Sequence, residues 1–175
     1  MKQPLAYVHP EAQIADNVVI EPFVTIDKNV VIEEGTRIGS DVAIWEGARI
    51  GKRSKIFPGA VISAIPHDLK FRGEKSIVVI GDNTTIRECA TINRGTAAKG
   101  ITKVGNNCLI MAYVHIAHDC EIGDNCIITN ACQLAGEVVV DDFAIIGGMS
   151  AVHQFVHIGR HVMIQGGSLI GKDVP

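Results

Sequence analysis

Aliphatic residues recur at every sixth position of this 175-residue chain. Val8, Ile14, Ile20, Ile26, Ile32, Ile38, Ile44, Ile50, Ile56 and Ile62 form an unbroken run. Ile80, Ile86 and Ile92 keep the same register, and Val104, Ile110, Ile116, Ile122, Ile128, Leu134, Val140, Ile146, Val152, Ile158, Ile164 and Ile170 complete it. A period of six is neither the 3.6 of a helix nor the alternation of a single strand, and it marks a repeat architecture. Four residues after each aliphatic stands a small or β-branched residue, such as Ala12, Val24, Thr36, Ala48, Ser54, Cys120, Cys126 or Ala144. Turn formers lie between, among them Asp16-Asn17, Asp82-Asn83 and Asp124-Asn125. Many steps also place glycine directly after the aliphatic, as at Gly51, Gly81, Gly105 and Gly123, which reads as a need for positive φ there.

Each hexad is therefore predicted to be one short strand and a corner. Three hexads make an 18-residue triangular coil, and stacked coils make a prism with a parallel sheet on each face and the aliphatics along its axis. Neighbouring coils pair every strand, so only the two ends expose edges. Nine or so coils at a strand spacing of ~4.8 Å give a rod on the order of 45 Å long. The spacing leaves the hand of the coil open, although parallel crossovers are usually right-handed. Residues 63–79 and 94–102 break the pattern. The interval from Ile62 to Ile80 reads as one full coil, and Ala98 occupies the register position in the second break. The expectation is one all-β solenoid domain over residues 1–175 with two external loops, and loops that leave a rigid scaffold often carry binding groups.

Composition narrows the function. A net charge of −3 gives no electrostatic case for nucleic acid. The hydrophobic residues are 47% of the chain but are spread by six, without a run of about 18, so no integral membrane segment is expected. The opening MKQPLAYVHPEA holds no apolar core of a signal peptide. There are five cysteines, and Cys108, Cys120, Cys126 and Cys132 fall on the small inward position, as fillers of a core kept in a reducing compartment. A metal site is the other reading, since Cys108 and Cys126 should stack, but no CxxC pair accompanies them.

Folding the sequence by 18 brings chemistry together. His118 falls two residues after Ile116, and His153 one after Val152, in the same corner region two coils on. Gly136 should lie over His118, and Glu137 over Asp119. A histidine beside a carboxylate and below an open glycine N–H fits a base, its orienting group and an oxyanion donor. The other reading is solvated surface, where most outward polar residues of a solenoid belong.

The segments VHPEAQI, PHDLKF, RECATINRGT, YVHIAHDCEIG, LAGEVVVDDFAIIGGMSAVHQF and IGRHVMIQGGS resemble the bacterial UDP-N-acetylglucosamine O-acyltransferases that begin lipid A biosynthesis, within the hexapeptide-repeat acyltransferases. The resemblance runs from about Tyr7 to Pro175. It implies a left-handed parallel β-helix, a cytoplasmic homotrimer with active sites between subunits, and no metal or other cofactor. The implied reaction moves an (R)-3-hydroxyacyl group from acyl carrier protein to the 3-hydroxyl of UDP-N-acetylglucosamine. Carried onto this sequence, His118 is the general base, Asp119 orients it and Gly136 N–H holds the oxyanion. Asp68, Lys70, His115, His153 and Gln154 contact substrate, and Met163 and Gly166 line the acyl groove, with Gly166 leaving room for a long chain.

Two departures stand out. Glu137 occupies the place of a histidine common in the family, and a carboxylate stacked on Asp119 should raise the pKa of one of the two and favour protonated His118, with either an upward shift of the pH optimum or altered nucleotide contacts at this substrate-binding position as the consequence. The family also continues into a C-terminal helical segment that this sequence does not contain. Competing readings are a hexapeptide acyltransferase with another acceptor, a trimeric zinc enzyme of γ-carbonic-anhydrase type built on the His115-x-x-His118 pair, and a trimeric binding module without turnover.

Overall fold

The computed structural model describes residues 4–175, so the first three residues of the stretch read for a leader lie outside it. Its 25 strands, mostly two residues long, run from Tyr7–Val8 to Leu169–Ile170. They form three parallel sheets of nine, eight and eight strands, and each sheet takes every third strand of the chain. The first face carries Tyr7–Val8, Thr25–Ile26 and so on to Leu169–Ile170, the second begins at Gln13–Ile14 and the third at Val19–Ile20. The coil is a left-handed β-helix. The usual right-handed preference belongs to crossovers that pack back over one sheet, whereas here each connection is a bare corner leading to the next face.

The sixfold aliphatics form the core. Ile26, Ile38, Ile62, Ile92, Ile110, Ile116 and Leu134 have no exposed surface, and each side chain of this class gains roughly 1.5–3 kcal/mol by burial. The small inward position does more than fill space. Where it is polar it donates to a carbonyl of the next coil: Thr36 to Gly51 at 2.8 Å, Thr84 to Gly105 at 2.7 Å, and the Cys108, Cys120, Cys126 and Cys132 thiols to Gly123, Ala135, Asp141 and Gly147 at 3.1 Å each. These carbonyls point inward at the corners, where an unmet acceptor is costly. All five cysteines are free, and burial pushes the Cys120 thiol up to about 12.

Backbone strain falls elsewhere than the sequence suggests. The glycines directly after the aliphatics do not take positive φ. They are needed because the next coil sits on them: a Cβ on Gly81 would lie 2.6 Å from both Asn106 Oδ1 and Gly105 C. Positive φ recurs three residues after the aliphatic, 63° at Phe23, 54° at Asn83, 59° at Asp119 and 62° at Glu137. Such residues ordinarily resist this conformation, but the corner N–H is tied to the coil below, as in Asn83 to Lys52 O and Glu137 to His118 O. Along the second-to-third corner, side-chain oxygens continue the stack. Asp82, Asn106, Asp124 and Asp142 each accept an N–H from the coil beneath at 2.7–2.8 Å. Gly81→Ala is therefore expected to cost about 1–3 kcal/mol, from overpacking against backbone that cannot yield. Thermal unfolding of the variant checks this, and an unchanged midpoint would refute the close-approach reading.

The two excursions also differ from the sequence reading. Pairing partners are 18 residues apart over most of the chain, as in Ile116↔Leu134. They are 30 apart across the first excursion, as in Ile62↔Ile92, and 24 apart across the second, as in Ile92↔Ile116. Ile62 and Ile80 therefore lie on adjacent faces rather than one full coil apart. Ala98 is exposed in a turn and does not enter the core. A spacing that is a multiple of six hides an insertion, because the register resumes in phase. Both excursions leave from the corner between the first and second faces.

Candidate active site

The same corner carries the residues singled out by spacing. Ile116, Leu134 and Val152 stack on the first face, so His118, Gly136 and Gln154 occupy one position on three successive coils, each two residues on. A Cβ built on Gly136 would stand 2.6 Å from both Cε1 and Nε2 of His118. Only a glycine admits the imidazole there. The Gly136 residue is buried and its N–H has no hydrogen-bond partner among the described residues.

His118 Nδ1 lies 2.9 Å from Asp119 Oδ2, with the His118 side chain 12% exposed and Asp119 fully buried. An ionised carboxylate only accepts, so the neutral ring carries its proton on Nδ1 and leaves Nε2 as the basic nitrogen. Asp119 is unusual among the corner residues at its position. Tyr113, Phe143 and Phe155 are 63%, 44% and 64% exposed, whereas Asp119 is covered by the second excursion. Its carboxylate accepts the Thr96 hydroxyl at 2.6 Å, the Thr96 N–H at 3.0 Å to each oxygen, and the Lys99 N–H at 3.3 Å. Its own N–H donates to Thr102 Oγ1 at 2.8 Å. Burial by itself would raise the Asp119 pKa, but the Thr96 hydroxyl, the His118 ring and the Thr96 N–H outweigh it and hold the carboxyl below its ordinary value.

The backbone stacking expected of Glu137 over Asp119 is present, and no rise in the Asp119 pKa accompanies it. The Glu137 backbone sits over the corner, with N–H donating to His118 O at 3.0 Å. Its side chain is half-buried, and among the described residues no hydrogen bond or ion pair joins it to the Asp119 carboxylate. The Asp119 pKa is lowered by the Thr96 and His118 contacts described above.

The first excursion reaches the first face through His67, a residue the sequence reading did not single out. Its ring stacks on His115 at 5.6 Å between centroids and 10° between planes. His115 Nδ1 is 2.7 Å from Thr91 Oγ1, and its pKa is lowered, first by burial and then by the neighbouring His67. The excursion is held by Asn93 Nδ2 donating to Ile65 O at 2.9 Å and by Glu74 accepting the Ala97 N–H at 2.9 Å, which joins it to the second excursion. Asp68 folds back to accept the Lys70 N–H at 2.8 Å, and Lys70 is exposed. His153 is exposed, with Nδ1 3.1 Å from Gln154 O. Met163, 77% exposed, projects from the third face, and Gly166 lies at the corner between the third and first faces. One chain thus gathers His118, Asp119 and Gly136, and His115 with the first excursion, but leaves Met163 and Gly166 on a different edge. Among the described residues, no group of three or more His, Cys, Asp or Glu side chains is placed to hold a metal ion. No helix among the described residues is long and apolar enough to cross a membrane.

Comparison with known proteins adds to this geometry. A family model described as "Bacterial transferase hexapeptide (six repeats)" matches residues 101–136, the stretch with His118, Asp119 and Gly136. One described as "GMPPB C-terminal domain" matches residues 2–98, so the first half of the chain falls in that family too, short of His118, Asp119 and Gly136. The curated acyl-[acyl-carrier-protein]–UDP-N-acetylglucosamine O-acyltransferase of Campylobacter jejuni subsp. jejuni is 61% identical over 173 residues, which are 98% of this chain and 66% of that relative. This chain therefore spans slightly less than two thirds of the length of such relatives. The solved UDP-N-acetylglucosamine acyltransferase of Bacteroides fragilis superposes with a TM-score of 0.98 at 56% identity, covering 100% of this chain and 69% of that one. That of Francisella novicida gives 0.99 at 51% identity, covering 100% and 64%.

Proposed function

We propose, from the premise that this chain belongs to the UDP-N-acetylglucosamine O-acyltransferase family, that it transfers an (R)-3-hydroxyacyl chain from acyl carrier protein to the 3-hydroxyl of UDP-N-acetylglucosamine, the first step of lipid A biosynthesis. The observation that carries the reading is the stack of Asp119, His118 and Gly136, with Nδ1 of His118 held at 2.9 Å by a buried carboxylate. In this reading Nε2 takes the proton of the sugar hydroxyl as its oxygen attacks the thioester carbonyl. The Gly136 N–H stabilises the tetrahedral oxyanion. Collapse expels the carrier thiolate, which takes the proton from the imidazolium, so the base is regenerated and no acyl-enzyme forms. Asp119 holds the ring and offsets its transient charge.

Asp68, Lys70, His115, His153, Gln154 and Glu137 are assigned to the substrate on the same reading. Met163 and Gly166 stand one edge away from His118, so a groove that serves both must come from a neighbouring copy, which supports a homotrimer with sites between subunits. The five free cysteines fit a cytoplasmic location.

The test is acyl transfer to UDP-N-acetylglucosamine from 3-hydroxyacyl carrier proteins of graded length, with the ester position read by mass spectrometry and NMR. Folded protein that acylates no chain length, or acylates another hydroxyl, would sink the assignment. At Gly166, a Cβ would approach Gly148 O at 3.2 Å and meet little else. Gly166→Met is therefore expected to fold normally and to shift preference to shorter donors by about tenfold or more, one or two methylenes being worth ~1–3 kcal/mol. An unchanged chain-length profile would remove Gly166 from the groove.

A further inference from the structure

The second excursion adds six residues to its coil, since Thr91 pairs with His115 where a plain coil would set partners 18 apart. Its polar groups converge on one residue of the coil above. The Thr96 N–H reaches both carboxylate oxygens of Asp119, the Thr96 hydroxyl reaches Oδ2, the Lys99 N–H reaches Oδ1, and Lys99 Nζ reaches the Asp119 carbonyl at 3.3 Å. Gly95 makes the approach possible, because a Cβ there would lie 2.8 Å from Asp119 Oδ1 and against Ile101 N. The excursion is also closed around Thr96: its carbonyl accepts the Gly100 N–H at 2.7 Å, and its hydroxyl oxygen accepts the Ala98 N–H at 3.2 Å. With a lone pair so engaged and a carboxylate at 2.6 Å, the hydroxyl proton must point to Asp119 Oδ2. Oδ2 is also the oxygen that receives His118 Nδ1–H.

We infer that Thr96 is a positioning residue for the acyl transfer, its hydroxyl and amide fixing the Asp119 carboxylate so that Oδ2 faces Nδ1 of His118. The inference rests on the proposed function. A carboxylate has four lone-pair directions and can rotate; donors on both oxygens leave it one orientation, and the imidazole inherits that orientation. The six-residue insertion is then the orienting device of the base. The titratable and charged groups about the pair are Lys99 from the same excursion, Cys120 beside Asp119 and Glu137 from the coil above.

Thr96→Val, Thr96→Ala and Thr96→Ser are compared with wild type in steady-state kinetics for both substrates across pH. The valine and alanine variants are expected to lose about 10- to 100-fold in kcat, a misplacement effect, with KM for either substrate within about threefold. Their acid limb in kcat/KM moves to higher pH, because a carboxylate with one donor fewer holds the imidazolium more tightly. Thr96→Ser restores both. In an Asp119→Asn background Thr96→Val should cost nothing further, since it acts through Asp119. Wild-type kcat with an unmoved acid limb in whichever of the valine and alanine variants folds overturns the inference, as does a serine variant no better than alanine. Wild type is read in the same assay, so its failure to turn over would strike the functional reading itself, while normal wild-type turnover with an indifferent Thr96 strikes this inference alone.

Discussion

His118→Ala is expected to lower kcat by a factor on the order of 10²–10⁴, the usual contribution of a positioned general base, while the coil stays folded. The ring lies outside the axial stack of aliphatics, and Asp119 keeps its bonds to Thr96 and Lys99 when the ring is gone. The stability cost is therefore expected to stay near that of one hydrogen bond, about 1–2 kcal/mol. KM for both substrates should change little, because Nε2 gains its role only as the proton moves. The pH profile adds a second check. Asp119 is held below the ordinary carboxylate value, so it remains charged through the working range. The acid limb of kcat/KM should then fall with the slope of a single proton, and a slope of two would show a second titrating group in the site. Steady-state kinetics and circular dichroism suffice, and normal turnover in the variant would remove His118 from the chemistry.

The second large effect is expected at Gly136. This glycine is not at positive φ, so alanine there brings no backbone strain. Its whole penalty comes from a Cβ placed 2.6 Å from two atoms of the His118 ring. The ring must rotate away from its bond to Asp119, or the coil above must lift and carry the Gly136 N–H with it. Either movement spoils the alignment of base and oxyanion donor, and a displacement of about 1 Å is enough for roughly 10²-fold in rate. Gly136→Ala should thus lose on the order of 10²-fold or more in kcat and about 1–3 kcal/mol in stability. In a His118→Ala background the same Cβ has room, so the stability loss should vanish. A persistent loss in the double variant would locate the clash elsewhere, and a fully active Gly136→Ala would contradict the stacking itself.

The fold and the site were readable to different depths. A period of six states which residues face the axis, and every aliphatic from Ile20 to Ile158 that it picks out is buried. The same arithmetic placed Gly136 over His118, because two positions 18 apart on an uninterrupted stretch must stack. It went wrong at Ile62–Ile80 and at Ala98, where insertions of twelve and six residues leave the phase unchanged. At Glu137 it placed the backbone correctly over the corner, while the Asp119 pKa is set by Thr96 and His118. It also gave the glycines after the aliphatics the wrong reason, since close approach by a neighbouring coil and positive φ select the same residue type.

Sequence by itself determined the coil, its core, the resumption of register after each break, and the candidate base with its neighbours. These are local or periodic properties, set by which face each residue must present. Only the tertiary structure decided that both excursions leave from the corner that carries His118, and that the second folds over Asp119 to bury its carboxylate. It alone showed His67 of the first excursion stacking on His115. Those features depend on where irregular chain returns to a surface built by repeats, and a repeat pattern is silent about the residues that leave it.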